Sequence, residues 1–220
     1  MRKLLALACI LLSSCATLVP TVEDALTPGI FLEPESRDVL LPGVELRPVY
    51  DKGLEVTKLS EGWRARLYND VASYCTIGYG HLIKRAACDG SEIPEFRRGI
   101  SEPEGTVLLR GDMGRAQLAV MTAVTVELTD AQYAALCDFV FNVGSTNFKK
   151  SKLLAVVNSR DFDQVPTQLL RWVKAGGKEV PGLVNRRERQ IKLFFDNAPI
   201  PRGVSAAGAD TSLLDIRTGR

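Results

Sequence analysis

The sequence holds one histidine, His81, and five cysteines among 220 residues, and no spacing among them resembles a zinc site. Neither a metal nor another cofactor is expected. The net charge of +2 is too small to point to nucleic acid as a partner. No apolar run is long enough to cross a bilayer as a mature helix. What is present is 45% apolar and 25% charged residues, the balance of a globular rather than a disordered chain. The length suits one domain of ordinary size with appendages.

The first fifteen residues have the layout of an export signal. Met1, Arg2 and Lys3 give a basic start, and Leu4 to Leu12 form a short apolar core. The end, Leu12-Ser13-Ser14-Cys15, resembles a bacterial lipobox, in which the cysteine is lipidated and becomes the mature N-terminus. Cys15 is thus the candidate lipidation site, and the expected localisation is the cell envelope, tethered to a membrane. An ordinary cleaved signal and an uncleaved signal anchor are the alternatives. Export to an oxidising compartment permits disulfides among the cysteines that remain. Cys75 and Cys88 are candidates for a bridge closing a short loop, and Cys137 reads as a buried free thiol. Three unpaired thiols are the competing reading.

Residues 16–53 carry Pro20, Pro28, Pro34, Pro42 and Pro48, which break any long helix, so the segment reads as a linker. The domain is expected over 54–197. A short helix is predicted from Val56 to Leu67, with Leu59 and Trp63 on one apolar face. Extended chain, an Asn69-Asp70 turn and a strand over 74–79 follow as a small hairpin, then an irregular connection over 84–100. Ser101 and Glu104 make a capping-box pattern, and Gly111 and Gly114 mark a break in the helix it opens. A second capping box at Thr129 opens a strongly apolar helix that stops at Gly144. Further helices are predicted at 149–158, 163–174 and 182–196, and a loose tail at 198–220. The order is that of an α+β domain with a small β-hairpin lobe and a larger helical lobe.

Within this frame one stretch concentrates chemistry: Glu61, Asp70 and Thr76, the last in TIGYGH at 76–81. The stretch, together with LTDAQYAALCDFVFNVG at 128–144 and LLRWVKAGGKEVPGLVNRRERQ at 169–190, resembles the phage-type lysozymes, family 24 of the glycoside hydrolases. The resemblance covers about residues 55–195 and leaves the signal, linker and tail outside. It implies a lysozyme-like fold with a cleft between the lobes and peptidoglycan as the polymer bound. It also implies that Glu61 is the general acid, and that Asp70 and Thr76 position the attacking water. Glycoside hydrolysis needs a proton donor to the departing oxygen and a group on the opposite face. The acid has to stay protonated near neutral pH, which calls for an apolar, poorly solvated setting. Direct attack by water inverts the anomeric centre.

Other residues matter less. His81 is expected to be structural, pairing with a carboxylate. Leu82 and Phe141 match positions that line the sugar cleft, although Phe141 reads equally as plain helix core. Trp172 is expected in the core. Arg171, Lys174, Lys178, Arg186, Arg187 and Arg189 are either a solvated helix face or an attraction for the anionic wall polymer. A monomer is expected. The competing functions are an inactive lysozyme-like module that binds peptidoglycan, and a lytic transglycosylase, which uses one Glu and no water.

Overall fold

A computed structural model describes residues 45–201 and 211–220. The expected signal, Cys15 and most of the linker lie outside the described residues. The remainder of the expected linker does not behave as one. Val49 is buried, and the Arg47 carbonyl accepts hydrogen bonds from Gln117 and Tyr133, so the packed structure begins before residue 54.

Helix α1 runs Asp51–Glu61, and Asp51 sits in its first turn, where a negative charge suits the helix dipole. It ends earlier than predicted because Gly62 adopts φ 73°, a left-handed value that stops the helix and places Glu61 at its C-terminus. Leu59 is 65% exposed, so the predicted apolar face does not form. Trp63 lies beyond the helix and stacks on Tyr79 at 5.0 Å between ring centroids.

Strands β1 (Arg64–Asn69), β2 (Cys75–Gly78) and β3 (His81–Lys84) form one antiparallel sheet in the order β1-β2-β3. The predicted hairpin is therefore three-stranded. Register places Thr76 between Tyr68 on β1 and Leu82 on β3. A disulfide joins Cys75 to Cys88 and ties the start of β2 to the chain that follows β3. The short helix α2 (Pro94–Arg97) interrupts the connection that sequence reading leaves irregular.

Helix α3 (Glu102–Asp112) starts at the Ser101 capping box and packs on β2 and β3. Helix α4 (Gly114–Ala123) follows after the expected break, at Met113. Helix α5 (Asp130–Val143) opens at the Thr129 capping box and closes at Gly144. It is the centre of the helical lobe: Leu136, Cys137 and Phe139 are wholly buried, and it packs against α9, α4 and α1. The approach to α1 depends on Gly53, where a Cβ would lie 2.4 Å from that of Ala134. Cys137 is a free, buried thiol.

The predicted helix at 149–158 is two, α6 (Ser145–Lys150) and α7 (Lys152–Asn158), because Ser151 is extended and caps Leu154 N–H with its hydroxyl. Helix α8 (Val165–Leu170) stops short of the predicted 174. Lys174 instead enters a two-residue strand, β4 (Lys174–Ala175), paired with β5 (Lys178–Glu179) around Gly176 and Gly177. Helix α9 (Pro181–Phe194) follows, and Trp172 is buried in the core as expected.

The described end of the tail is not loose. Ile216 is wholly buried, with Leu213 and Leu214 packed against the same core. Its backbone runs beside β4: Lys174 N–H donates to Leu214 O, and Ile216 N–H donates to Lys174 O. Asn147 Nδ2 donates to Ile216 O, and Arg171 donates to Ser212. Averaged over 198–220 the apolar density is low, but three apolar residues within four positions suffice to dock it.

Candidate active site

Glu61 stands at the end of α1, where α1 meets α5 and α9. Its side chain is 4% exposed, and Oε1 accepts a 2.6 Å hydrogen bond from Arg186 Nη1. Burial pushes the carboxyl above its ordinary value. The Arg186 charge and hydrogen bond pull it down, the Asp138 charge adds to the rise, and the rise prevails. A carboxyl in this setting can hold a proton to deliver.

Asp70 follows β1 at the turn into β2. Its Oδ1 accepts from the backbone N–H groups of Ala72 at 2.9 Å and Tyr74 at 2.8 Å, while its own N–H donates to Tyr74 O. Two turn bonds thus fix the carboxylate on its short side chain, and the third fixes the backbone that carries it. Thr76, 1% exposed on β2, donates its hydroxyl to Tyr74 O at 3.0 Å. With its proton committed, the hydroxyl oxygen is left to act as an acceptor.

Tyr68 links the three. It is the register partner of Thr76, and the charges of both Glu61 and Asp70 act on its phenol. Burial is the main cause that raises its pKa; the Arg64 guanidinium, 4.7 Å from the ring centroid, opposes the rise. Leu82 lies across β2–β3 from Thr76 and is half-buried. Phe141 is partly buried and packs on the helical core, one turn beyond Asp138 on α5. His81 pairs with Asp112 through Nδ1 at 2.9 Å, bracing β3 against α3.

Arg186, Arg187 and Arg171, expected on a basic surface, are all buried. Arg186 bonds Glu61 and, through Nε and Nη2, Asp138 at 3.1 and 2.7 Å. Gln190 Nε2 gives Asp138 a further bond of 2.6 Å. Arg187 donates to the Trp172 carbonyl, Gln190 Oε1 and Asn142 Oδ1. The sequence carries one signal of this cluster: Asp138 stands inside the apolar run of α5, and a carboxylate buried there needs a cation.

Cys75, Cys88 and Glu92 lie close enough to hold a metal, but the two sulfurs are already bonded to each other. No helix among the described residues is long and apolar enough to cross a membrane.

The phage lysozyme family model matches residues 58–190. The endolysin of Bacillus phage B103 is 37% identical over 145 residues, which is 65% of this chain and 52% of that protein. The chain thus spans about half the length of that relative. The endolysin of Acyrthosiphon pisum secondary endosymbiont phage 1 is 33% identical over 66% of this chain and 97% of its own length. Among solved structures, a mutant of P22 lysozyme superposes with a TM-score of 0.59 at 30% identity, covering 68% of this chain and 99% of that one. The matched span contains Glu61, Asp70, Thr76, Asp138 and Arg186, and the chain belongs to the phage lysozyme family.

Proposed function

We propose that the chain is an N-acetylmuramidase that hydrolyses the β-1,4 bond between N-acetylmuramic acid and N-acetylglucosamine in peptidoglycan. The observation that carries this reading is the contrast between the two carboxyls. Glu61 is buried with a raised pKa, whereas Asp70 is held by backbone amides at a turn. Glu61 protonates the departing glycosidic oxygen. Asp70 takes one proton of the attacking water as it adds. The other O–H of the water donates a hydrogen bond to the Thr76 oxygen and stays on the product, which aims the lone pair at the anomeric carbon. The product is the inverted hemiacetal. Leu82 and Phe141 contribute apolar walls to the sugar subsites.

Glu61→Gln tests the acid role. Lysis of cell walls should fall about 100- to 10,000-fold with the fold unchanged by circular dichroism. Activity near that of the wild type would remove Glu61 from that role. Export is proposed through residues 1–15, with lipidation at Cys15 holding the enzyme at the envelope membrane. Cys15→Ala should move the protein from the membrane fraction to the soluble one. An unchanged membrane fraction would favour the uncleaved signal anchor.

A further inference from the structure

Arg186 is the cation nearest the acid, and an arginine bonded to a carboxylate ordinarily keeps it ionised. An acid catalyst requires the opposite. The arrangement around Arg186 resolves the conflict. The geometry points to Asp138 as a positioning residue for the acid, one that takes Nε and Nη2 of Arg186 and leaves Glu61 a single contact, at Nη1. This rests on the reading of Glu61 as general acid.

Asp138 is wholly buried on α5, and burial alone pushes its carboxyl up. The Arg186 charge, the two Arg186 hydrogen bonds and that of Gln190 outweigh burial and hold it below the ordinary value, so it is the resident anion of the cluster. Arg187 spends its donors on neutral acceptors. Burial and the neighbouring Arg186 charge push Arg187 down to about 9, which leaves it cationic at neutral pH. With Asp138 ionised and Glu61 protonated, Arg186 is already neutralised. Without Asp138, two buried guanidinium groups would have the Glu61 carboxylate as their nearest counter-charge, and Glu61 would lose its proton.

The other groups facing this cluster come from three directions. Tyr68 and Arg64 lie on β1, and the Tyr68 phenol is coupled to Glu61. Asp70 lies at the turn after β1. Arg189 on α9 donates to Ser60 Oγ on α1. Cys137 lies on α5 itself, its thiol pushed up to about 12 by burial, so it stays neutral. Among these, Asp138 is the anion bonded to the same guanidinium as the acid.

The test is the pH–rate profile of wall hydrolysis by the wild type and by Asp138→Asn. The basic limb, which reports the acid losing its proton, should move to lower pH by about one unit or more. That corresponds to a loss of about tenfold in rate on the alkaline side of the limb, with a smaller loss below it. Asp138→Glu, which keeps the charge, should restore the limb. A limb unmoved in Asp138→Asn, or moved equally in Asp138→Glu, overturns the proposal. A measurement on the wild type avoids dependence on the variant folding: 13C carboxyl titration followed by NMR. Asp138 should remain ionised across the range in which Glu61 titrates, and protonation of Asp138 in that range overturns the proposal. Glu61→Gln in the same assay separates the two ideas. If it is inactive while the Asp138→Asn limb does not move, only the role of Asp138 fails. If it is active, the acid assignment itself fails.

Discussion

Burial gives Glu61 its chemistry and also sets its limits. The carboxyl is bonded to one cation, Arg186, which it shares with one further carboxylate, Asp138, and the balance among burial, Arg186 and Asp138 decides its proton. In the proposed reaction Thr76 has a different part, one of direction rather than charge. Its proton is committed to the Tyr74 carbonyl, so its oxygen can only accept. Thr76→Val keeps the β-branched shape and removes that acceptor. It should slow hydrolysis by at least about tenfold while the melting temperature changes little, since the hydroxyl makes one local bond, worth about 1 kcal/mol. Steady-state rates on purified wall and a thermal melt check both halves. The three candidate residues are separated by only 9 and 6 positions, so a resemblance over one short stretch is enough to single them out. Asp138 and Arg186 lie 48 positions apart and meet because α5 packs on α9. No local pattern carries that pairing, and the run NRRERQ reads as a solvated face until its packing is known.

At the scale of elements, legibility follows the strength of local chemistry. Helix α5 is readable because a capping box opens it, Gly144 ends it and apolar residues fill most of its faces. The break between α3 and α4 is readable from two glycines. Strand β3 and the pair β4–β5 are not, because strands of two to four residues exist through their partners rather than their propensity. The loop after β3 shows how such an element is held. Glu92 accepts from the Asp89 and Gly90 amides at 3.0 Å each and pairs with Lys84 at 2.8 Å. The Lys84 hydrogen bond is the main cause that lowers its carboxyl from 4.5 to about 2. A depressed folded value contributes stability that is present above 4.5 and lost as pH falls through about 2. Glu104 behaves likewise, held at about 2 chiefly by Ser101. Acid unfolding should therefore steepen between pH 4.5 and 2, and Glu92→Gln should flatten the dependence of melting temperature on pH in that window. An identical slope in the variant would show that the loop pairing is not maintained in solution.

For the whole molecule, the packed structure extends beyond the stretch that carries the family resemblance. Val49 at one end and Ile216 at the other are both buried, so segments expected to be linker and tail complete the core. The described end of the tail lies along β4 and ties the β4–β5 hairpin to α6 through Asn147. Ile216→Ala should cost about 2–5 kcal/mol of unfolding free energy in urea, the range for emptying a buried aliphatic site. The rate per folded molecule at low temperature should stay the same, because Glu61, Asp70 and Thr76 receive nothing from this segment. A loss of stability below about 0.5 kcal/mol, the size of an ordinary surface change, would mean that the tail is undocked in solution.

The central claim is that Glu61 delivers a proton while Asp70 and Thr76 deliver water, and the end groups of the product report on it most directly. Purified peptidoglycan digested with the full chain should yield muropeptides that end in reducing N-acetylmuramic acid by mass spectrometry, each heavier by one water than the corresponding anhydro form. Fragments ending in anhydromuramic acid would contradict the account, since that product forms without water and leaves Asp70 and Thr76 no part in the reaction.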